Sequence, residues 1–127
     1  AGDAQASLYV LRAVTSSDEI WDDLYLDGNT RRLAIANNHA MTFDVMIVGH
    51  SDAGETAGYT CEGVIENYNG TTTLLAGPCT ILDEDDAAWS ARLVRDDTPL
   101  DLLRVLVMGN GENIRWVATV RAVEVGW

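Results

Sequence analysis

The closing stretch Ile114-Arg-Trp-Val-Ala-Thr-Val-Arg-Ala-Val-Glu-Val125 is the strand around which the rest of the chain is arranged in our prediction. Residues two apart on a β-strand share a face. One face of this stretch carries Ile114, Trp116, Ala118, Val120 and Ala122. The opposite face carries Arg115, Val117, Thr119, Arg121, Val123 and Val125. Because the first face suits a core and the second is too polar for a buried parallel strand, we predict a long central antiparallel strand. Its second face meets water or another subunit.

The same alternation predicts shorter strands along the rest of the chain. The clearest is 40–49, and a further one is Leu24–Leu26, ending in the turn at Asp27. Asn69-Gly70 predicts a type I′ hairpin turn, because both central positions of that turn need positive φ. The other predicted strands are 7–14, 32–36, 58–67, 71–76, 89–93 and 102–108. Turns are predicted at 51–54, 77–78, 96–99 and 109–111.

Strands at this spacing, with no convincing amphipathic helix, indicate an all-β chain. We predict one domain over residues 1–127, an antiparallel β-sandwich of the jelly-roll kind with eight or nine strands and little or no helix. The register predicts which side chains are buried. They are Met41, Phe43, Val45, Ile47, Trp89, Leu93, Trp116, Ala118 and Val120.

The charge of the chain limits its partners. Its 127 residues include 20 acidic residues against 8 arginines and no lysine, a formal net charge of -12. Such a surface repels phosphate backbones and anionic lipid, so nucleic acid is a poor partner. No apolar run reaches the roughly 18 residues of a membrane helix, so membrane insertion is not expected. The absence of an initial Met suggests a fragment or a processed chain.

Two cysteines, Cys61 and Cys79, are too few for a disulfide scaffold and lack metal-ligand spacing. We expect them to be free, small core residues, with a disulfide as the alternative.

No sequence motif indicates catalysis. The chain has no nucleophile elbow, His-Glu-x-x-His pair, phosphate loop or dinucleotide fingerprint, and its two histidines lie at strand ends. The acidic runs at 22–23, 83–86 and 96–97 lack the spacing of an EF-hand and read as solvated turns. Asp83, Asp85 and Asp86 are weak calcium candidates, because calcium prefers hard oxygen ligands. We otherwise expect no cofactor.

Aromatic residues near loops are the binding candidates. An exposed ring could stack on the apolar face of a sugar, with asparagines donating hydrogen bonds, although cover for the core is the plainer interpretation. The candidates are Trp21, Tyr25, Asn29, Tyr68, Asn69 and Trp127. Trp89 and Trp116 lie in phase with apolar residues and are expected in the core.

Several strands, two of them most clearly, carry apolar residues on both faces. In the strand at 102–108, Leu102 and Leu106 oppose Leu103, Val105 and Val107, and the closing strand is similar. In a small sandwich, one of these two faces should be exposed to solvent. The surplus apolar face therefore suggests a subunit interface in a homo-oligomer.

Five segments together resemble the C-terminal domain of tailed-phage tail fibres and related virion structural proteins. They are Gly2–Arg12, Leu24–Gly28, Ala57–Gly63, Glu84–Trp89 and Ile114–Val125. The resemblance spans nearly all of the chain and consists of strand and turn residues, with no catalytic signature. Cys61, Cys79 and the terminal Gly126-Trp127 depart from the family pattern.

The resemblance implies a homotrimeric β-sandwich at the distal, C-terminal part of a longer phage fibre. It implies assembly with other virion proteins, synthesis in the host cytoplasm, and binding to a bacterial surface polysaccharide or outer-membrane component. A fibre tip should carry its aromatics or polar loops at the end away from its N-terminus.

Two other functions fit the same composition. A capsid decoration or cement protein would also be a small acidic β trimer, but it would use a broad capsid-facing surface and an extended arm. A glycan-hydrolysing virion enzyme would need a carboxylate pair in a cleft, which the sequence does not reveal.

Overall fold

The computed structural model describes residues 4–96 and 101–127, and within them the chain forms two antiparallel sheets. The predicted all-β sandwich is confirmed, with ten strands in the described part. They are β1 Ala4–Thr15, β2 Asp18–Asp23, β3 Leu33–Ala34, β4 His39–Ser51, β5 Thr56–Tyr68, β6 Thr71–Ala76, β7 Thr80–Glu84, β8 Ser90–Asp96, β9 Leu102–Asn110 and β10 Ile114–Gly126. A jelly-roll topology remains a prediction. The predicted turn at 96–99 lies largely outside the described residues.

The large sheet has the order β1-β10-β4-β5-β6, and β7 also pairs with β5. As predicted, β10 is central: it pairs with β1 from Thr15 to Ala4 and with β4 along its whole length. Its face with Trp116 and Val120 is buried, and the face with Val117 and Val123 is exposed. The closing strand therefore has the register that its alternation predicts.

The small sheet is built on β9. Strand β8 pairs along one edge of β9, so β2 and β3 share the other edge. Here the surplus apolar face is not an interface, because Leu102 and Leu106 are buried within the protomer. Leu106 lies between Asp23 and Arg92 in register, and the Arg92 guanidinium stacks over the Trp21 ring at 4.3 Å. The outer leucines of this sheet therefore leave little apolar surface exposed.

The core between the sheets centres on two tryptophans. Trp89 and Trp116 are each 1% exposed, and their ring centroids lie 5.5 Å apart. Trp116 Nε1 donates a hydrogen bond to Thr15 Oγ1 at 2.9 Å, and a Cβ at Gly49 would lie 2.5 Å from the Trp116 ring. All the residues predicted to be buried are buried, except that Leu93 is only half-buried.

One predicted strand is wrong. Leu24–Leu26 forms no strand beyond a single bridge between Tyr25 and Arg12, whereas the preceding residues, including the acidic pair at 22–23 that was interpreted as a solvated turn, form β2. Asp23 explains how an acidic segment can lie in a sheet. Its buried carboxylate accepts two hydrogen bonds from Arg104 and one from Arg32, all at 2.9 Å.

The expectation of free cysteines is also wrong, because Cys61 and Cys79 form a disulfide. Strand β5 pairs with β6 along one half and with β7 along the other. Cys61 lies between these two halves and Cys79 directly precedes β7. The bond therefore closes the gap between two short edge strands that cannot continue each other. Disulfides of this kind persist in oxidising surroundings.

Replacing both Cys61 and Cys79 with alanine is expected to lower the free energy of unfolding by about 2–3 kcal/mol. The bond closes a loop of 18 residues, and the unfolded chain gains the entropy of that loop when the bond is absent. Urea unfolding of the oxidised protein and the double variant measures the difference. Adding reductant should shift only the oxidised wild type. Equal stability with and without reductant would contradict this role.

Candidate functional site

The outer face of the large sheet, defined here as the side of β1, β10, β4 and β5 turned away from the core, is exposed and rich in apolar side chains. Monomeric proteins rarely leave apolar patches of more than a few hundred Å² uncovered. The exposed apolar residues of this face are Leu8, Val10, Val14, Met46, Val48, Val64, Val117, Val123 and Val125. Leu8, Met46 and Val123 are each more than 60% exposed. The predicted unburied face of β10 is therefore one part of a wider surface.

The size of the outer face matches that of an interface. Its four strands have 12 or 13 residues each. At about 4.8 Å between strands and 3.3 Å per residue, they cover roughly 20 by 40 Å, or about 800 Å². One partner contributes about this area to a standard protein–protein interface.

Charged residues divide the outer face lengthwise. We call β1 and β10, with exposed Arg12, Arg115 and Arg121, the arginine half. We call β4 and β5 the carboxylate half. Its charged residues are Asp44, Glu62 and Glu66. Although the chain is strongly acidic, this face carries as many arginines as carboxylates.

The two halves meet in one cross-strand row. Register aligns Leu8, Arg121, Asp44 and Glu62. Arg121 Nη2 donates to Asp44 Oδ2 at 2.9 Å, which raises the pKa of Arg121. Within the described part of the chain, Glu62 and Arg115 form no ion pair. An open depression of about 760 Å³ lies along this row, lined among others by Met46, Glu62 and Arg121.

Three of the predicted binding residues lie together at one end of the sandwich, which we call the asparagine end. Asn69 N–H donates to Asn38 Oδ1 at 3.0 Å, and Trp127 N–H donates to the Asn38 carbonyl at 3.1 Å. Asn69 and Gly70 have φ of 52° and 81°, so the predicted turn is confirmed. Tyr68 is 65% exposed and the Trp127 side chain is fully exposed. Two free rings thus flank a polar turn.

The other three predicted binding residues lie elsewhere. Trp21 is half-buried beneath Arg92 on the small sheet. The Tyr25 ring lies 5.3 Å from the Arg32 guanidinium. Asn29 is exposed in a turn held by Asp27, whose carboxylate accepts backbone hydrogen bonds from Asn29, Thr30 and Arg31. These bonds hold the pKa of Asp27 far below its usual range. The six candidates therefore do not form one site.

The asparagine end is also where β1 begins, because Ala4 pairs with Val125 and His39 pairs with both Gly126 and Asn67. The expected placement of aromatics away from the N-terminus is thus not found for Tyr68 and Trp127. The far end of the sandwich carries polar turns.

We call that far end the acidic end. Its carboxylates belong to Asp52, Glu55, Asp85, Asp86 and Glu112. Asn110 Nδ2 donates to Asp86 at 2.6 Å and to Glu112 at 3.1 Å. Glu112 Oε1 is buried, and no N–H or hydroxyl group among the described residues donates a hydrogen bond to it. This cluster could not be predicted from the sequence, because three separate turns supply it.

A shared proton relieves the crowding at the acidic end. The hydrogen bond to Glu112, then burial, then repulsion from Glu112, Asp86 and Asp85 raise the pKa of Glu55 to about 7. The same hydrogen bond lowers the pKa of Glu112. Glu55 therefore holds the proton of this pair, and Glu112 accepts the hydrogen bond.

The stability of the chain is expected to fall as pH rises from about 4.5 through 7, because folded Glu55 then loses a proton that unfolded Glu55 has already lost. Glu55→Gln supplies a permanent donor, so its melting temperature should rise relative to that of wild type between pH 5 and pH 8. Glu19→Gln, at an exposed position, is the control. A constant difference between wild type and Glu55→Gln across this range would contradict the shared proton.

The calcium candidates are tied into turns. Asp85 Oδ2 accepts a hydrogen bond from Thr56 N–H at 2.8 Å, and Asp86 Oδ1 accepts one from Ala88 N–H at 2.8 Å, while Asp83 is exposed on β7. Among the described residues, no three His, Cys, Asp or Glu side chains are grouped to hold a metal ion. Calcium binding there remains a prediction.

The chain matches no protein-family model and no curated protein. Its fold is similar to part of tailspike protein gp49 from Acinetobacter baumannii bacteriophage Fri1, a capsular polysaccharide depolymerase, with a TM-score of 0.47 and 11% identity. The match covers 96% of this chain and 19% of the tailspike. At this identity and TM-score, the likeness gives no information about activity or assembly.

No helix long and apolar enough to cross a membrane occurs between residues 4 and 96 or between 101 and 127.

Proposed function

We propose that the chain is a non-enzymatic, self-associating domain of a phage virion, a homotrimeric tail-fibre domain that binds a bacterial surface polysaccharide. The exposed apolar outer face of the large sheet carries the self-association. The phage role follows from the sequence resemblance to tail-fibre domains. Domains of that kind are trimeric.

The outer face has enough apolar surface to drive assembly. Fully burying one Val, Leu or Met side chain contributes about 1.5–3 kcal/mol. Nine exposed apolar side chains on the outer face together can therefore offset the roughly 4–15 kcal/mol that association costs in lost freedom. On strand β9, by contrast, the outward-facing leucines are buried within the protomer. The outer face of the large sheet has no such cover among the described residues.

Charge substitutions at the centre of the outer face test the assembly. Met46→Glu and Val117→Glu each place a carboxylate in the apolar surface, and we expect both to sediment as monomers at concentrations at which wild type is assembled. Ile20→Glu, at a 55% exposed position on β2, is the matched control and should behave as wild type. Unchanged assembly in both outer-face variants would overturn the proposal.

The proposed glycan site is the asparagine end, because exposed Tyr68 and Trp127 flank the polar Asn69 turn. Sugar rings stack on such aromatic faces, and the amides can bond hydroxyl groups. An array of bacterial surface polysaccharides should show binding by wild type. Removing a hot-spot ring costs about 1–3 kcal/mol, so Tyr68→Ala and Trp127→Ala should weaken binding about 5- to 150-fold. Half-buried Trp21 provides the control, Trp21→Phe. Undiminished binding by both variants would overturn this assignment.

A further inference from the structure

The charge division of the outer face also fixes how a second copy lies against it. We infer that neighbouring copies pack around an axis parallel to the strands, so that the arginine half of one copy contacts the carboxylate half of the next. This inference rests on the proposed self-association and adds the partner's orientation to it.

Symmetry limits the possible arrangements. A two-fold axis in the interface that crosses the strands places the arginine half against another arginine half, and the carboxylates against carboxylates. An axis along the strands, whether two-fold or three-fold, places opposite halves together. Like charges in contact oppose assembly, whereas the second arrangement places the strands that carry arginines against the strands that carry carboxylates. The charges therefore select the axis along the strands.

The register makes the contact specific. Rotation about an axis along the strands keeps each residue at its own level, and Arg121, Asp44 and Glu62 share one level. Arg121 of one copy then faces the Asp44 and Glu62 carboxylates of the next. Within one protomer Arg121 already holds Asp44, but Glu62 has no ion pair among the described residues. The second copy supplies the missing counter-charge.

Apolar residues on either side of this row fit the same arrangement. Val10 and Met46 lie at one neighbouring level, and Val64 and Val123 lie at the other. Each charged row is thus bordered by side chains that exclude water on contact. Such surroundings strengthen an ion pair relative to one in bulk water.

Charge reversal tests the orientation. Arg121→Glu and Glu62→Arg, each alone, bring like charges together and should raise the dissociation constant at least tenfold in low salt. The double variant in one chain restores an opposite pair and should recover most of the affinity. Arg31→Glu and Asp18→Arg make the same changes in charge at exposed positions off the outer face and should have no effect.

The outcomes separate the two proposals. A wild type that stays monomeric, or assembly that survives both Met46→Glu and Val117→Glu, overturns the self-association and with it the orientation. If Met46→Glu and Val117→Glu abolish assembly but the single charge reversals leave it unchanged, the orientation alone is overturned. The same holds if the double variant does not recover the affinity that the single reversals lose. Circular dichroism of each variant verifies that the exposed substitutions leave the fold intact. At 1 M salt, where screening extends to about 3 Å, the effect of each single reversal should shrink.

Discussion

Replacing Trp116 with alanine is expected to lower the free energy of unfolding by about 3–5 kcal/mol, the range for removing a large buried aromatic side chain. The ring packs against Trp89 and over the bare backbone of Gly49. No side chain at position 49 can fill the space that the ring leaves. The substitution also removes the donor to buried Thr15 Oγ1. Urea unfolding at a fixed protomer concentration measures the loss, since assembly changes apparent stability.

Trp127→Ala is the matched control, because the Trp127 side chain is fully exposed and its substitution should change stability by less than about 0.5 kcal/mol. A second variant, Thr15→Val, leaves Trp116 Nε1 without its acceptor and should cost about 1–3 kcal/mol. Equal stabilities of Trp116→Ala and Trp127→Ala would show that the two sheets are not joined as described.

Replacing Asp23 with alanine is expected to cost about 3–5 kcal/mol, because it leaves two arginines without the buried carboxylate that binds both. Asp23 is 7% exposed, and Arg32 and Arg104 are about one-third exposed. Water can partly solvate the freed guanidinium groups, so a value toward the lower bound is expected. Chemical denaturation of wild type and Asp23→Ala provides the measurement.

The pH dependence of this network has a definite sign. Burial alone would raise the pKa of Asp23, but the hydrogen bonds from Arg104 and Arg32 outweigh burial and lower it below 3.8. The network therefore stabilises the fold fully above that value, and its contribution is lost as pH falls through the lower folded pKa. Asp18→Ala, at an exposed position off the outer face, is the control and should change stability by less than about 0.5 kcal/mol. Similar losses in Asp23→Ala and Asp18→Ala would contradict the buried network.

Strands with one apolar and one polar face could be predicted from the sequence. Strands β4 and β10 alternate over 13 residues each, and a slip of one residue would have exposed Phe43 and Trp116, so their register was well determined. The Asn69-Gly70 turn could also be predicted from the sequence, because few other residue pairs adopt two positive φ values.

The errors concern residues whose stability depends on distant partners. Strand β2 contains Asp18, Glu19, Asp22 and Asp23, which disfavour strands locally, and it is held by arginines from β9 and the segment before β3. The disulfide was only the alternative expectation for a similar reason, since only the pairing of β5 with both β6 and β7 brings Cys79 beside Cys61. Neither contact can be inferred from sequence spacing alone.

The candidate sites show the same limit. Alternation predicted that Val117 and Val123 face away from the core, but the extent of the outer face depends on β10 lying between β1 and β4. The division into arginine and carboxylate halves follows from that strand order too. Conversely, loop position grouped Trp21 and Tyr25 with Tyr68 and Trp127, although the fold places them on different surfaces.

The central claim is that the outer face of the large sheet is a contact between copies of this chain. The solution mass of the isolated chain, measured by light scattering near physiological salt, tests it directly. One protomer has a mass of 13.8 kDa. We expect a mass near that of three protomers, unchanged on moderate dilution. A mass equal to one protomer at every concentration would contradict the claim and would leave the apolar outer face to a different partner.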